Sequence, residues 1–182
     1  MKFNIFLKSH LKRKAKSKPL TKDFTFPRIL QKAENLLICL PDKLEDAVFS
    51  LRYLEFLAEI FSTTRIYLLT PFEGLEKLVP EKALFNFIQL PEKSKRFFNF
   101  PQKRFLKKLR EYQFQIALDF DLSKSILNSY LCLVSGSPLR IGLKGGLGNP
   151  YYNVELSLPP TKTTRDELYQ AFVETLRQLV KG

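Results

Sequence analysis

The chain alternates short apolar runs with longer segments in which apolar residues recur every three or four positions. Leu36, Leu37, Ile38, Cys39 and Leu40 form the first run, continuous enough to read as a strand buried on both faces. Pro41 ends it. Asp42 then stands where a helix N-cap belongs, with Glu45 three residues on, the spacing of a capping box. Leu44, Ala47, Val48, Leu51, Leu54 and Ala58 follow at spacings of three and four, one apolar stripe of an amphipathic helix. Strand, tight turn and helix make the first half of a βαβ unit.

The alternation continues to the end of the chain. Arg65–Thr70 predicts a second strand closed by Pro71, Glu73–Leu78 a short helix, and Ala83–Leu90 a third strand. Pro91–Pro101 reads as a polar connector, and Gln102–Tyr112 as a basic helix with a narrow seam of Phe105, Leu106 and Leu109. Gln113–Phe120 predicts a fourth strand, apolar until Asp119. An apolar helix then runs from Ile126 to Val134, with Gly136 where a C-cap glycine belongs. Pro138–Leu143 predicts a fifth strand, and Gly145, Gly146, Gly148 and Pro150 a flexible loop. Tyr151–Leu158 reads as extended, and Thr164–Val180 as a closing amphipathic helix with Thr164 as N-cap and Glu167 three residues later. Strands alternating with helices predict an α/β fold, a Rossmann-like three-layer sandwich with a mostly parallel sheet and right-handed crossovers. Residues 1–27 stand apart as a basic extension, leaving residues 28–182 as one domain.

Composition and charge sharpen this picture. With 182 residues, 45% of them apolar and 17 of them phenylalanine, the chain is long enough to bury a sizeable core. Its formal charge of +12 is local. Residues 1–22 carry eight Lys/Arg and no acid, and residues 93–110 carry another eight. Such segments suit an anionic partner, whether a glycolipid, a membrane surface or nucleic acid. Phe3, Leu7, Leu11 and Ala15 lie four apart, so residues 1–22 read either as a helix lying on an anionic membrane or as a solvated tail. Phe97, Phe98 and Phe100 between basic residues suit stacking and phosphate contact with nucleic acid, or a solvated face over an apolar seam. Cys39 and Cys132 each fall in an apolar run, as buried reduced thiols of a cytoplasmic protein do. No apolar run approaches the roughly 20 residues of a membrane span. The start lacks the continuous apolar centre of a secretory signal.

Several chemistries are excluded. His10 is the single histidine and no CxxC pair exists, so neither a metal site nor a Ser/His or Cys/His relay is expected. The turn after the first strand contains no glycine, so no dinucleotide or triphosphate cradle, and hence no cofactor, is expected. Carboxylates at strand ends remain. Asp46 lies in the first turn of the opening helix and Asp119 at the end of the fourth strand, and in a parallel sheet these ends share one edge. A carboxylate there can take a proton from a substrate hydroxyl when its surroundings tune it. Acids are also favoured at these places by the helix dipole and by capping alone.

In their order and wording, the segments resemble the N-terminal domain of glycosyltransferase family 9, the ADP-heptose:lipopolysaccharide heptosyltransferases, which have the GT-B fold. The family's opening strand, loop and helix match Leu36–Leu40 leading to Leu44-Glu45-Asp46-Ala47-Val48. Its fourth-strand pattern and serine-bearing helix match Leu118-Asp119-Phe120-Asp121-Leu122 leading to Lys124-Ser125. Its R-x-G-[FL] pattern matches Arg140-Ile141-Gly142-Leu143, and its aromatic loop and closing helix match Tyr151-Tyr152-Asn153 and Thr164–Leu179. The resemblance implies half of a GT-B fold, the acceptor side. It implies Asp46 as general base for inverting transfer without a metal, and Lys43, Asp119, Lys124, Ser125 and Arg140 around an acidic, phosphorylated acceptor sugar. Glu45 stands where the family has glycine before the base, and Asp121-Leu122 where it has Gln-Gly. The chain ends where the nucleotide-sugar donor domain is expected. This implies that it is inactive alone or works with a separately encoded donor domain, in the cytoplasm or peripherally at the inner membrane. The other expectation is a non-catalytic basic protein that docks on RNA, a ribonucleoprotein or an anionic membrane surface.

Overall fold

The structure, a computed structural model, describes residues 25–79, 81–91 and 101–181. The expected helix in residues 1–22 and the phenylalanine cluster at residues 97–100 lie outside the described residues. Six strands, β1 (Asn35–Cys39), β2 (Arg65–Thr70), β3 (Phe85–Gln89), β4 (Ile116–Asp119), β5 (Leu139–Leu143) and β6 (Val154–Leu156), form one sheet in the order β3-β2-β1-β4-β5-β6. Every pairing is parallel. The order reverses between β1 and β4, and a crevice opens at the carboxyl ends of the strands at such a point.

Successive residues of a strand point to opposite faces, so β1 divides its apolar run between two cores. Leu36 and Ile38 pack with Leu54, Leu57, Phe172 and Leu176. Leu37 and Cys39 pack with Leu109, Leu131 and Cys132. Helices α1 (Arg28–Lys32), α2 (Leu44–Ser50), α3 (Leu54–Ile60) and α6 (Arg165–Lys181) therefore cover one face, and α4 (Lys103–Glu111) and α5 (Ile126–Val134) the other. The three-layer sandwich is as expected. Each fully buried leucine or isoleucine of β1 contributes about 1.5–3 kcal/mol. Cys39 and Cys132 are buried and unbonded, their sulfurs 3.9 Å apart.

The opening helix departs from its predicted stripe. A 3-10 turn over Leu51–Tyr53 splits it into α2 and α3. The buried face of α2 is Ala47 and Ser50, and the tighter turn, about 3.0 residues instead of 3.6, carries it on to Leu51, Leu54 and Leu57. Leu44 and Val48 are left 54% and 40% exposed. Nor does Asp42 cap the helix: Lys43 holds the N-cap position and makes no side-chain cap bond. The short helix predicted after β2 is a 3-10 turn over Leu75–Leu78, following a left-handed Gly74. The capping box at the closing helix does form, since Thr164 Oγ1 accepts from the Glu167 amide at 3.2 Å and Glu167 accepts from the Thr164 amide at 3.1 Å.

The glycine loop read as flexible is tied down at its far end, at Pro150, whose carbonyl accepts from Arg140. The tyrosines that follow, Tyr151 and Tyr152, open the segment read as extended; they are buried, and the chain after them continues as the edge strand β6. Arg140 on β5 donates from its guanidinium to the backbone carbonyls of Ser137 at 2.7 Å, Tyr151 at 3.0 Å and Pro150 at 3.3 Å. Asn153 closes the clamp. Its Oδ1 accepts from the Arg140 amide at 2.7 Å, and its own amide donates to the Arg140 carbonyl at 3.0 Å. Two residues along β5, on the same face, Gly142 provides the seat for Tyr152: a Cβ there would meet the tyrosine ring at 2.6 Å. Gly142→Ala therefore forces Tyr152 outward, an overpacking that costs about 1–3 kcal/mol. Urea unfolding of this variant is expected to show that loss, whereas Gly74→Ala, which meets no neighbouring atom, carries only the strain of its left-handed backbone.

Candidate active site at the carboxyl edge of the sheet

The turns that leave β1 and β4 meet the start of α6 around a cavity of about 270 Å³. Asp46, Asp121, Leu122, Ser123, Thr163, Arg165, Leu168 and Tyr169 line it. Asp46 is in the first turn of α2, where the positive end of the helix dipole favours a carboxylate. Its side chain is 23% exposed, and Arg165 Nη1 lies 3.3 Å from its Oδ1. The same nitrogen reaches Glu45 Oε1 at 3.1 Å, and the guanidinium lies over the Phe49 ring at 5.2 Å. Glu45, expected in a capping box, is thus drawn outward to Arg165. With the Glu45 side chain 83% exposed, the ion pair adds little stability but sets the direction of both carboxylates.

Asp121 is the second carboxylate of the cavity and is almost fully buried. Its Oδ1 accepts from the Ser123 amide at 2.7 Å and its Oδ2 from the Asp42 amide at 3.4 Å. Burial raises its pKa above the ordinary carboxylate range, against the opposing bonds from Ser123. The cavity therefore pairs an open carboxylate beside a cation with a desolvated one that holds a proton more readily.

Asp119, expected to share a cleft with Asp46, does not line this cavity. Strand alternation turns it toward α5 with Ala117, while Leu118 and Phe120 face the other core. It is 2% exposed. Its Oδ1 accepts from Asn128 Nδ2 and from the Asp121 amide, both at 3.1 Å, and its Oδ2 accepts from the Tyr152 hydroxyl. Asn128 also donates to the Leu40 carbonyl at 3.0 Å, joining β1 to this network. Arg140 is likewise internal. It sits near the start of β5, at the opposite end of the sheet from the cavity, with its guanidinium committed to the loop carbonyls described above.

Ser125 is the N-cap of α5 and donates to Asp42 Oδ2 at 2.6 Å, which explains why Asp42 leaves the cap of α2. Lys43 is exposed at the start of α2 and lines neither this cavity nor its neighbour. Lys124 is exposed and lines the adjoining cavity, which shares Leu122 and Leu168 with the first. Of the expected residues, then, Asp46 and Lys124 stand in the groove, Ser125 buttresses it, and Asp119 and Arg140 lie beneath or behind it. Sequence reasoning passed over Arg165 and Tyr169 as site residues, and it treated Asp121 only as a departure from a pattern. The available signal was position: Asp121 lies beyond the strand end, and Arg165 opens the first turn of the closing helix. Among the described residues no three His, Cys, Asp or Glu side chains converge as metal ligands. No described helix is long and apolar enough to cross a membrane.

The sheet order and the crevice define a Rossmann-like domain. No family model matches the sequence, and no curated protein matches it. Solved structures do share the fold. ADP-heptose LPS heptosyltransferase II of E. coli superposes with a TM-score of 0.56 at 19% identity, over 76% of this chain and 40% of that one. The family 9 glycosyltransferase of Veillonella parvula DSM 2008 gives 0.56 at 16% identity, over 79% and 41%. E. coli heptosyltransferase WaaC with ADP-2-deoxy-2-fluoro heptose gives 0.55 at 15% identity, over 78% and 48%. The chain thus spans less than half the length of each of these proteins.

Burial lifts the pKa of Asp119 from 3.8 to about 7, with the Tyr152 hydrogen bond opposing the shift and the Asp121 charge adding to it. The folded protein accordingly keeps a proton that the unfolded chain releases from about pH 4 upward. Stability is greatest at the acid end of this window, falls as the pH rises toward about 7, and levels off above it. Asp119→Asn is expected to flatten that slope in urea unfolding measured between pH 5 and 8, with Asp121 contributing a residual slope of the same sign.

Proposed function

We propose that this domain is the acceptor-side half of a heptosyltransferase-type glycosyltransferase, its donor side contributed by a second Rossmann-like unit. The observation that carries the reading is the position of Asp46. It is a partly open carboxylate on a groove at the carboxyl edge of a parallel sheet, and it is aimed by Arg165. The fold shared with heptosyltransferases over less than half their length supports the same reading.

In the proposed reaction Asp46 accepts the proton of an acceptor-sugar hydroxyl as its oxygen bonds to the anomeric carbon of the donor sugar. The bond from that carbon to the nucleotide diphosphate breaks with inversion, and the diphosphate departs with the bonding electrons. General-base assistance of this kind contributes about 10²–10⁴-fold. Arg165 orients the carboxylate. Asp121 lines the same cavity, where it is placed to hydrogen-bond a second substrate hydroxyl. A phosphorylated acceptor sugar is expected to bind the chain in calorimetry while ADP-heptose does not. With a donor-binding unit present, Asp46→Asn is expected to lower kcat about 10²-fold or more with KM little changed. ADP-heptose binding in the absence of acceptor, or full turnover by Asp46→Asn, contradicts the proposal.

A second reading rests on α4. Lys103, Arg104, Lys107 and Lys108 are exposed there, and none makes a salt bridge among the described residues. Like charges at helical spacings of three and four repel one another until an anionic surface approaches. In this reading α4 docks the domain on an anionic membrane surface, at about 1 kcal/mol per basic residue, or on RNA. The double variant Lys103→Glu, Lys107→Glu is expected to lose co-sedimentation with phosphatidylglycerol vesicles at low salt. Retention on RNA instead, lost as salt rises, assigns the nucleic-acid partner. Unchanged binding to both removes α4 from the reading.

A further inference from the structure

The cavity beside the proposed acid–base site has a different chemistry. Its volume is about 340 Å³, within the range of small-ligand sites. Five leucines line it, from the ends of β5 and β6, the turn after β4 and the first turns of α6. Lys124, Lys144 and Ser157 complete the wall, which contains no acidic side chain. A pocket for a sugar alone would be expected to present more hydrogen-bonding groups than this. Leucine walls instead favour an alkyl chain, whose burial is driven by the apolar area removed from water.

Two features set the cationic side. Neither Lys124 nor Lys144 makes a salt bridge among the described residues. Lys124 also has a left-handed backbone, φ +60°, which a lysine rarely adopts. Its Nζ lies over Gly145, only 3.0 Å from where a Cβ would stand, and Gly145 is itself left-handed at φ +83°. Strained residues of this kind collect where a side chain must be held for a ligand. Here the left-handed residue is a lysine that lines an apolar cavity and makes no salt bridge among the described residues.

We infer that this cavity binds an anionic amphiphile, with a phosphate or carboxylate head between Lys124 and Lys144 and an alkyl chain against the leucines. The cavity adjoins the proposed acid–base site and shares Leu122 and Leu168 with it, but uses neither Asp46 nor Arg165, so the two can be tested separately. The same chemistry belongs to a membrane lipid and to a soluble alkyl phosphate or fatty acid, and the two are separable by experiment.

The full chain is titrated by calorimetry with dodecyl phosphate below its micelle concentration. One saturable site is expected, with inorganic phosphate and the uncharged dodecyl maltoside each binding at least tenfold more weakly. The double variant Lys124→Gln, Lys144→Gln should weaken dodecyl phosphate at least tenfold. Leu158→Asn, at a half-buried position, should weaken it without changing the far-ultraviolet dichroism. Equal binding of dodecyl maltoside, equal binding of inorganic phosphate, or indifference to the lysine pair overturns the inference. Competition by phosphatidic acid vesicles supports the site and assigns it to a membrane lipid, whereas competition by soluble dodecanoate alone supports it and assigns a free amphiphile. Failure of this titration leaves the Asp46 assay untouched, and failure of that assay leaves this one untouched.

Discussion

The buried carboxylate of Asp119 is the constraint on which the carboxyl edge of the sheet depends. Strand alternation places it under α5, where an unpaired charge would cost several kcal/mol, so the chain supplies partners from every side. Asn128 comes from α5, the Asp121 amide from the chain leaving β4, and Tyr152 from the segment entering β6. Each partner imposes a further requirement. Tyr152 needs a bare Gly142 beneath it, the Tyr152 segment needs the Arg140 clamp, and Asn128 binds the last carbonyl of the β1 run. Ser129 extends the chain of hydroxyls. It donates to the Ser125 carbonyl and meets the Tyr152 hydroxyl at 2.6 Å, so the three contacts of this chain share two hydroxyl protons while Asp119 is ionised and have one each once Asp119 is protonated.

That network frees the groove above it. With β1, β4 and α5 locked together, the side chains that point outward at the strand ends are held on rigid supports, the arrangement a binding site requires. The groove divides into an end rich in carboxylates and a leucine-walled end with two lysines. Arg165 is the hinge of the charge pattern, since it balances Glu45 and Asp46 and, through the Phe49 ring, anchors the start of α6 to α2. In the proposed reaction these are the groups that meet the acceptor, and Asp119 and Arg140 act only by holding the frame.

The layers were legible in the sequence because the apolar runs of β1, β2 and β4 and the helical spacings between them are local signals. Of the segment Tyr151–Leu158, read as extended, Val154–Leu156 forms β6, and the order of the residues before it was not legible because nothing local shows that Arg140 and Gly142 are the partners of Pro150–Asn153. The site was legible only in part. Asp46 stands out by its place in a first helical turn, whereas telling Asp119 from Asp121 requires knowing that α5 covers one strand face and that β4 ends at Asp119. Asp42 has the spacing of a helix cap and was drawn off by Ser125, 83 residues distant in the chain. The predicted stripe put Leu44 and Val48 on the buried face, but in α2 that face is Ala47 and Ser50, and the 3-10 turn that follows is a change of period that the spacing of leucines does not announce.

The most direct test of the account is an amide-resolved NMR titration of the chain with a hexose 6-phosphate. Shifts are expected at Leu44–Ala47, Asp121–Lys124 and Thr163–Leu168, with Arg140 and Asn153 unmoved. Shifts centred on Arg140 and Asn153, with the groove residues silent, would contradict it.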